Sequence, residues 1–77
     1  MIKVFSTPTC PYCVTLKTFL EEKGFEFQDI DVSRDQVALE EMVKKTGQYG
    51  VPVVDIDGHV VVGFDREKIS KLLNINE

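Results

Sequence analysis

The feature of this sequence that most constrains its fold is a pair of short β-branched runs joined by Asp57-Gly58. The first run covers residues 51–56 and the second covers residues 59–62. Asp-Gly readily adopts the positive φ angles of a two-residue type I′ turn, whose twist matches that of paired strands. The two runs are therefore predicted to form an antiparallel hairpin within a β-sheet.

A strand and a helix are predicted at the start of the chain. Residues 2–6 are rich in strand-forming side chains. Apolar residues then recur at near-helical spacing from Pro11 until Gly24 ends the pattern. Proline suits the first position of a helix, because its missing N–H would have no intrahelical partner there. Cys10 is thus predicted at the N-cap, and Cys13 one turn into the helix.

A second strand and a second helix follow. Apolar side chains within residues 25–32 predict the strand, and a slip in their alternation indicates a β-bulge. Ser33 and Gln36 resemble a capping box, in which each side chain satisfies a free N–H at a helix start. An apolar stripe then continues until Gly47, a residue type that commonly follows a helix. The stripe consists of Leu39, Met42 and Val43.

The last helix is predicted to run from a cap at Asp65 to Leu73, with Asn74 as its stop. The element order is then β-α-β-α-β-β-α. A right-handed crossover makes the first two strands parallel, whereas the hairpin makes the last two antiparallel. The sequence therefore predicts a single α/β domain over residues 1–77, with a four-stranded mixed sheet and helices on its faces. This is the minimal form of the thioredoxin fold.

Composition and patterning argue against several functions. The formal net charge of -4 argues against nucleic-acid binding, which depends on clustered Lys and Arg. No apolar stretch approaches the roughly 20 residues that a membrane-spanning helix needs. Met1 leads directly into the first strand without a signal sequence, so we expect a cytoplasmic protein with no membrane partner. Nothing in the sequence demands more than a monomer.

The segment Cys10-Pro11-Tyr12-Cys13 is the candidate for chemistry. Disulfide exchange needs an exposed, ionised thiol as nucleophile and a second thiol close enough to displace the mixed disulfide. The spacing puts both sulfurs on the same side of the first helical turn, where free N–H groups and the helix dipole favour a thiolate at Cys10. We therefore expect the pKa of the Cys10 thiol to lie below that of free cysteine.

Two other roles are open to a cysteine pair at this spacing. A structural disulfide would close so short a loop that it contributes about 2 kcal/mol at best. A zinc site would need two further ligands, but the chain has no second cysteine pair, and its single histidine, His59, lies beside the hairpin turn. The sequence therefore predicts neither a metal site nor a tightly bound cofactor, and His59 is expected to face solvent.

Pro52 opens the third predicted strand, where it cannot donate a ladder hydrogen bond. One interpretation is purely structural, with Pro52 as the residue that starts the strand. Another is a cis Val51-Pro52 bond whose neighbouring backbone faces the cysteines and pairs with an incoming peptide or glutathione. Only roughly 5 to 6% of X-Pro bonds in folded proteins are cis, so the residues alone leave both interpretations open.

Three segments resemble motifs of the glutaredoxin family, and most closely its compact bacterial members. Residues 9–13 read Thr-Cys-Pro-Tyr-Cys, residues 50–52 read Gly-Val-Pro, and residues 62–65 read Val-Gly-Phe-Asp. The resemblance spans essentially the whole chain and implies a thioredoxin fold. It further implies that Cys10 is the attacking cysteine and Cys13 the resolving cysteine.

The resemblance also implies a groove for substrate or glutathione beside the cysteines, with Pro52 as a cis-proline. The ring of Tyr12 either shields the helix start or forms part of this docking surface. Phe64 likewise either covers the core before the last helix or lines the groove. The groove residues implied by the resemblance are Pro11, Tyr12, Val51, Pro52, Gly63, Phe64 and Asp65.

The chain departs from glutathione-specific members of the family. Those members carry a lysine where this chain has Thr7, and a threonine where it has Gly50. Their Gly-Gly-x-Asp-Asp stretch, which holds the γ-glutamyl end of glutathione, reads Val-Gly-Phe-Asp-Arg here over residues 62–66. The Gly-Phe pair resembles instead the glutaredoxin-like electron donors of ribonucleotide reductase, which accept electrons from thioredoxin reductase. The resemblance thus leaves the electron donor open between glutathione and thioredoxin reductase.

The predicted function is electron transfer by dithiol exchange with disulfide-containing or glutathionylated proteins. The Cys10 thiolate attacks a substrate disulfide, Cys13 releases the reduced substrate, and an electron donor reduces the resulting Cys10-Cys13 disulfide. Glutathione acts here as a co-substrate. An alternative is iron-sulfur cluster binding or assembly, in which Cys10 from each of two subunits and two glutathiones supply four thiolates. Purification with and without air, with inspection for colour, separates the two functions.

Overall fold

The computed structural model describes residues 1–74, so the last three residues of the predicted domain lie outside the described residues. In the described part the elements follow in the predicted order. They are β1 (Ile2–Ser6), α1 (Pro11–Glu22), β2 (Gln28–Asp31), α2 (Gln36–Thr46), β3 (Val53–Ile56), β4 (His59–Val62) and α3 (Arg66–Leu73). The strand order is β2-β1-β3-β4, with β1 and β2 parallel and the other neighbours antiparallel. The predicted α/β class and four-stranded mixed sheet are confirmed.

The turn between β3 and β4 has the predicted conformation. Its two residues have positive φ angles, 50° at Asp57 and 93° at Gly58, as a type I′ turn requires. β3 begins at Val53 and is therefore two residues shorter than the predicted strand. The reason is that Pro52 has no N–H to donate to a ladder. The Val51-Pro52 bond is cis, as the family resemblance implied.

β2 differs from its prediction, because it covers only Gln28–Asp31. Its register with β1 is continuous, so the predicted bulge is wrong. Phe25 and Phe27 lie before the strand and pack, partly buried, against the core beneath α1. Val32 follows the strand and is buried on the opposite side of the sheet, beneath α2. The alternation slips because the apolar residues before β2 pack beneath α1, whereas the apolar residue after it packs beneath α2.

The N-terminus of α2 also differs from its prediction. Asp35 is the N-cap, and its carboxylate accepts an N–H of the first turn at 3.0 Å. The predicted capping box of Ser33 and Gln36 is wrong, because the N–H and hydroxyl of Ser33 both donate to the Asp31 carboxylate. The C-terminus is as predicted, since Gly47 follows the helix with a φ of 74°, a left-handed conformation that suits glycine.

The sheet separates two apolar clusters. One lies between the sheet and the helices α1 and α3, and the other lies beneath α2. The first consists of Ile2, Val4, Leu16, Phe19, Leu20, Val54, Ile56, Val61 and Ile69. The second consists of Phe5, Val32, Ala38, Met42 and Val53. Alternate residues of β1 thus face opposite clusters, as the period of two in a strand dictates.

An ion pair between the exposed Lys45 of α2 and the buried Asp55 of β3 ties the two elements together. Asp55 is 6% exposed within β3, and its carboxylate accepts hydrogen bonds from Lys45 Nζ and, at 2.8 Å, from the Gly58 N–H. Burial opposes the ionised form of Asp55, but these hydrogen bonds and the Lys45 charge outweigh burial and lower the pKa of Asp55. The same hydrogen bond raises the pKa of Lys45.

We predict that Lys45→Met lowers the free energy of unfolding at neutral pH by about 1–3 kcal/mol, because the buried Asp55 carboxylate loses its charged partner. The stabilisation by Asp55 is present above the ordinary aspartate pKa of 3.8 and is lost as the pH falls through its lowered pKa in the folded protein. The difference between variant and parent should therefore shrink in acid. Urea unfolding of both proteins, at neutral pH and at a pH below the lowered pKa of Asp55, measures this difference in the free energy of unfolding.

The matched control for this change is Lys44→Met, which removes the same charge from the exposed neighbouring residue. Its effect should stay within about 0.5 kcal/mol, as is usual for an exposed site. An equal loss of stability in both proteins, or a loss in Lys45→Met that persists in acid, would contradict the role of the ion pair.

Candidate active site

Cys10 is the N-cap of α1, and Cys13 lies one turn inside the helix. The Sγ of Cys10 accepts the backbone N–H of Cys13 at 3.1 Å. Pro11 occupies the start of the helix, where its missing N–H removes one donor that would otherwise lack a partner. The helix start therefore directs an N–H and the positive end of the helix dipole at the Cys10 sulfur, an arrangement that stabilises negative charge there.

The two cysteines are joined by a disulfide, and their Cα atoms lie 5.2 Å apart. Their accessibility differs. Cys10 is half-buried, whereas Cys13 has no exposed surface. Of the two cysteines, Cys10 is therefore the one that an incoming molecule can contact.

Pro52 lies at the same end of the sheet as the cysteine pair. β3 begins beside the end of β1, and the chain passes from the end of β1 to Cys10. The Pro52 carbonyl accepts the N–H of Gly63 at 2.8 Å, which joins the cis-proline segment to the loop after β4. Val51 is half-buried and packs against the cluster beneath α2. The structure thus links residues 51–52 to Gly63.

Residues 63–65 connect β4 to α3 and are fixed at several points. The Phe64 ring packs edge-on against the Phe19 ring of α1, with the ring centroids 5.7 Å apart. The Asp65 carboxylate accepts the Lys68 N–H at 3.1 Å and caps α3, as predicted. Phe64 therefore covers the core at least in part, and its place in a substrate groove stays a prediction.

Apolar side chains are exposed close to Cys10 in the chain. Tyr12 is 70% exposed, and Val14, two residues further along the helix, is also exposed. Pro11 is exposed at the helix start. An exposed aromatic ring next to a reactive sulfur can contact a docked polypeptide, although the binding role of Tyr12 and Pro11 stays a prediction.

A polar network that the sequence did not predict connects α1 to the edge strand β2. The Lys17 Nζ lies 3.1 Å from Asp29 Oδ2, and the Ser6 hydroxyl donates to Asp29 Oδ1 at 3.0 Å. Lys17 follows Cys13 by four residues, so the two side chains share a helix face. The sequence could therefore have identified Lys17 from its helical spacing to Cys13. The position of Asp29 required the parallel register of β1 and β2, which the sequence does not specify.

Within residues 1–74, no group of three or more His, Cys, Asp or Glu side chains could hold a metal ion. Over the same residues, no helix combines the length and the apolar character needed to cross a membrane. His59 is exposed at the hairpin, as expected.

The mixed sheet, with a Cys-x-x-Cys pair at the first helix start and a cis-proline at the same sheet end, defines a redox protein of the thioredoxin-fold class. Residues 2–61 match the glutaredoxin family, and the chain belongs to that family. This confirms the resemblance inferred from the sequence motifs.

Individual proteins show how closely the chain follows this family. It is 47% identical over 73 residues to a glutaredoxin-like 8.6 kDa protein of the rubredoxin operon of Clostridium pasteurianum, with 95% of this chain and 97% of that protein covered. The crystal structure of a thioredoxin-like protein matches with a TM-score of 0.87 and 38% identity, over 94% of this chain and 99% of that one. The glutaredoxin-like NrdH-redoxin from Escherichia coli matches with a TM-score of 0.80 and 30% identity, over 92% of each chain.

We predict that the reduced Cys10 thiol has a pKa below that of free cysteine, because the Cys13 N–H and the helix start stabilise the thiolate. Thiolate absorbance against pH measures this in the Cys13→Ser protein, where Cys10 is the remaining cysteine. The same protein unfolded in urea is the control and should titrate near the usual value of about 8.5. Identical titrations in the folded and unfolded protein would contradict the prediction.

Proposed function

We propose that this protein reduces disulfides by dithiol exchange, with Cys10 as the attacking cysteine and Cys13 as the resolving cysteine. The observation that carries the proposal is the difference in access between two linked sulfurs. Cys10 is partly exposed at the helix cap, whereas Cys13 is fully enclosed. A substrate disulfide can approach Cys10, and Cys13 can reach a substrate only through the mixed disulfide formed on Cys10.

The reaction proceeds in two balanced steps. In the first, the Cys10 thiolate attacks one sulfur of the substrate disulfide, and the substrate bond breaks with release of one thiolate. In the second, Cys13 loses its proton and attacks Cys10 Sγ, which releases the other substrate sulfur as a thiolate. Two electrons have then passed to the substrate, and the product is the Cys10-Cys13 disulfide that the structure contains.

The proposed substrates are protein disulfides and glutathione mixed disulfides. Tyr12 and Val14 follow Cys10 closely in the chain and are exposed, and this apolar surface supports polypeptide docking. The cis Val51-Pro52 segment and residues 63–65 complete the proposed groove on the other side. A reducing compartment such as the cytoplasm is the proposed location, because the cycle consumes reductant in every turn.

Glutathione and thioredoxin reductase are the two proposed electron donors. Val62 and Arg66 stand where glutathione-specific relatives are expected to have a glycine and an aspartate. NrdH-redoxin, to which the chain is similar, is described as having a thioredoxin-like activity profile. Both observations support thioredoxin reductase. The test offers oxidised protein to thioredoxin reductase with NADPH and, separately, to glutathione with glutathione reductase and NADPH, and compares the rates.

We predict that Cys10→Ser abolishes every thiol-exchange activity, because it removes the nucleophile of the first step. Cys13→Ser should lose reduction of protein disulfides but keep removal of glutathione from mixed disulfides, since free glutathione can resolve the intermediate on Cys10. Turnover with a protein disulfide and with a glutathionylated peptide measures the two reactions. The two variants are each other's control. Dithiol reductase activity in the Cys10→Ser protein would overturn the assignment.

A further inference from the structure

Cys13 must lose a proton before it can attack Cys10, yet it has no exposed surface. Burial in apolar surroundings disfavours the charged thiolate. The charged and polar groups that face the same side of α1 therefore influence how readily Cys13 ionises.

Lys17 is the charged residue of α1 that shares a face with Cys13, one turn further along the helix. Its side chain is 23% exposed and extends from α1 to β2, where it pairs with Asp29. Ser6 is 3% exposed at the end of β1 and holds the second Asp29 oxygen. These side chains line a cavity of about 190 Å³ together with Asp31 and with Thr7 and Pro8, which lead to the cysteine pair.

The other charged groups around α1 are engaged in different contacts. Asp31 accepts two hydrogen bonds from Ser33 and pairs with Arg34, and the Ser33 hydroxyl keeps the pKa of Asp31 below its ordinary value. Arg66 of α3 lies over the Phe19 ring, 5.1 Å from its centroid. Lys3 of β1 alternates with residues of the cluster beneath α1 and so faces the opposite side of the sheet.

The buried residues of β3 and β4 on the α1 side are apolar: they are Val54, Ile56 and Val61. His59 shares this face but lies at the hairpin end of β4, where it is exposed. The remaining charged side chains of α3, Glu67, Lys68 and Lys71, are exposed to solvent. Three charged groups therefore line the cavity on this side of α1. They are Lys17, Asp29, which pairs with it, and Asp31, whose carboxylate is already engaged by Ser33 and Arg34.

We propose that the Lys17–Asp29 ion pair sets the ionisation of the buried Cys13 thiol. Lys17 favours the thiolate, whereas Asp29 opposes it and at the same time holds the lysine in place. Ser6 is a positioning residue, because it fixes the Asp29 carboxylate. This inference rests on the proposed function, because it takes Cys13 as the resolving cysteine. If Cys13 ionises more readily, the bound substrate is released faster, so the ion pair influences the rate of release.

The test titrates Cys13 in the Cys10→Ser background, where it is the remaining thiol. Lys17→Met should raise the pKa of Cys13, because it leaves the Asp29 charge uncompensated. Asp29→Asn should lower the pKa, because it leaves the Lys17 charge uncompensated. Each shift is expected to be about 0.5 or more, because at an effective dielectric constant of about 20 a unit charge roughly 10 Å away changes a pKa by about 1. The double variant should return toward the parent value.

The opposite signs separate an electrostatic role from a structural one, because general loosening of the fold would move both variants in the same direction. The Glu67–Lys71 pair of α3, 3.5 Å apart and exposed, provides matched controls. Lys71→Met and Glu67→Gln make the same changes in net charge and should leave Cys13 unchanged. Lys17→Arg keeps the charge and should leave the pKa of Cys13 as in the parent. Lys17→Gln is used instead of Lys17→Met if the methionine variant does not fold.

A kinetic measurement in the protein with both cysteines completes the test. Lys17→Met should slow the Cys13-dependent release of substrate at neutral pH and recover at higher pH, while attack by Cys10 stays unchanged. Shifts of the same sign, or no shift in either variant, would overturn the role of the ion pair and leave dithiol exchange intact. Conversely, dithiol reductase activity in the Cys10→Ser protein would overturn the proposed function, whereas the titration of Cys13 would still report the effect of the ion pair.

Discussion

The start of α1 needs an acceptor for its free N–H groups, and in this chain the acceptor is a sulfur atom. Helix caps are usually oxygen atoms of Ser, Thr, Asp or Asn, and α2 and α3 do use Asp35 and Asp65. A thiol is a weak acceptor, whereas a thiolate carries a full charge. The helix is therefore capped best when Cys10 is ionised, so one hydrogen bond links the stability of α1 to the ionisation of its N-cap residue.

The packing of the sheet determines which sulfur is available. α1 lies against the sheet through its apolar face, and this encloses Cys13 while Cys10 stays at the rim. The antiparallel register of β1 and β3 brings Pro52 to the same end, and the Gly63 N–H fastens the next loop to it. The order of attack proposed for the two cysteines is thus a consequence of helix orientation, with no further catalytic group required to distinguish them.

Features governed by neighbouring residues could be predicted from the sequence. The Asp57-Gly58 turn and the caps at Cys10 and Asp65 are local, and the structure has them where the sequence placed them. The errors arose where several residues compete for one role or where the sheet face decides. Asp31 takes the hydroxyl of Ser33, which excludes the predicted capping box, and the bulge was inferred from side chains that face different clusters. The pairing of Lys17 with Asp29 depends on the strand register, which apolar periodicity alone does not determine.

The reacting sulfurs both come from a stretch of four residues, while the surface around them is assembled from three separate parts of the chain. A graft of the four-residue stretch onto another helix start would carry both cysteines with it. It would leave behind the cis-proline segment and the loop after β4. The cysteine pair and the surface around it are therefore separate parts of the sequence, and each can change without the other as the sequence diverges.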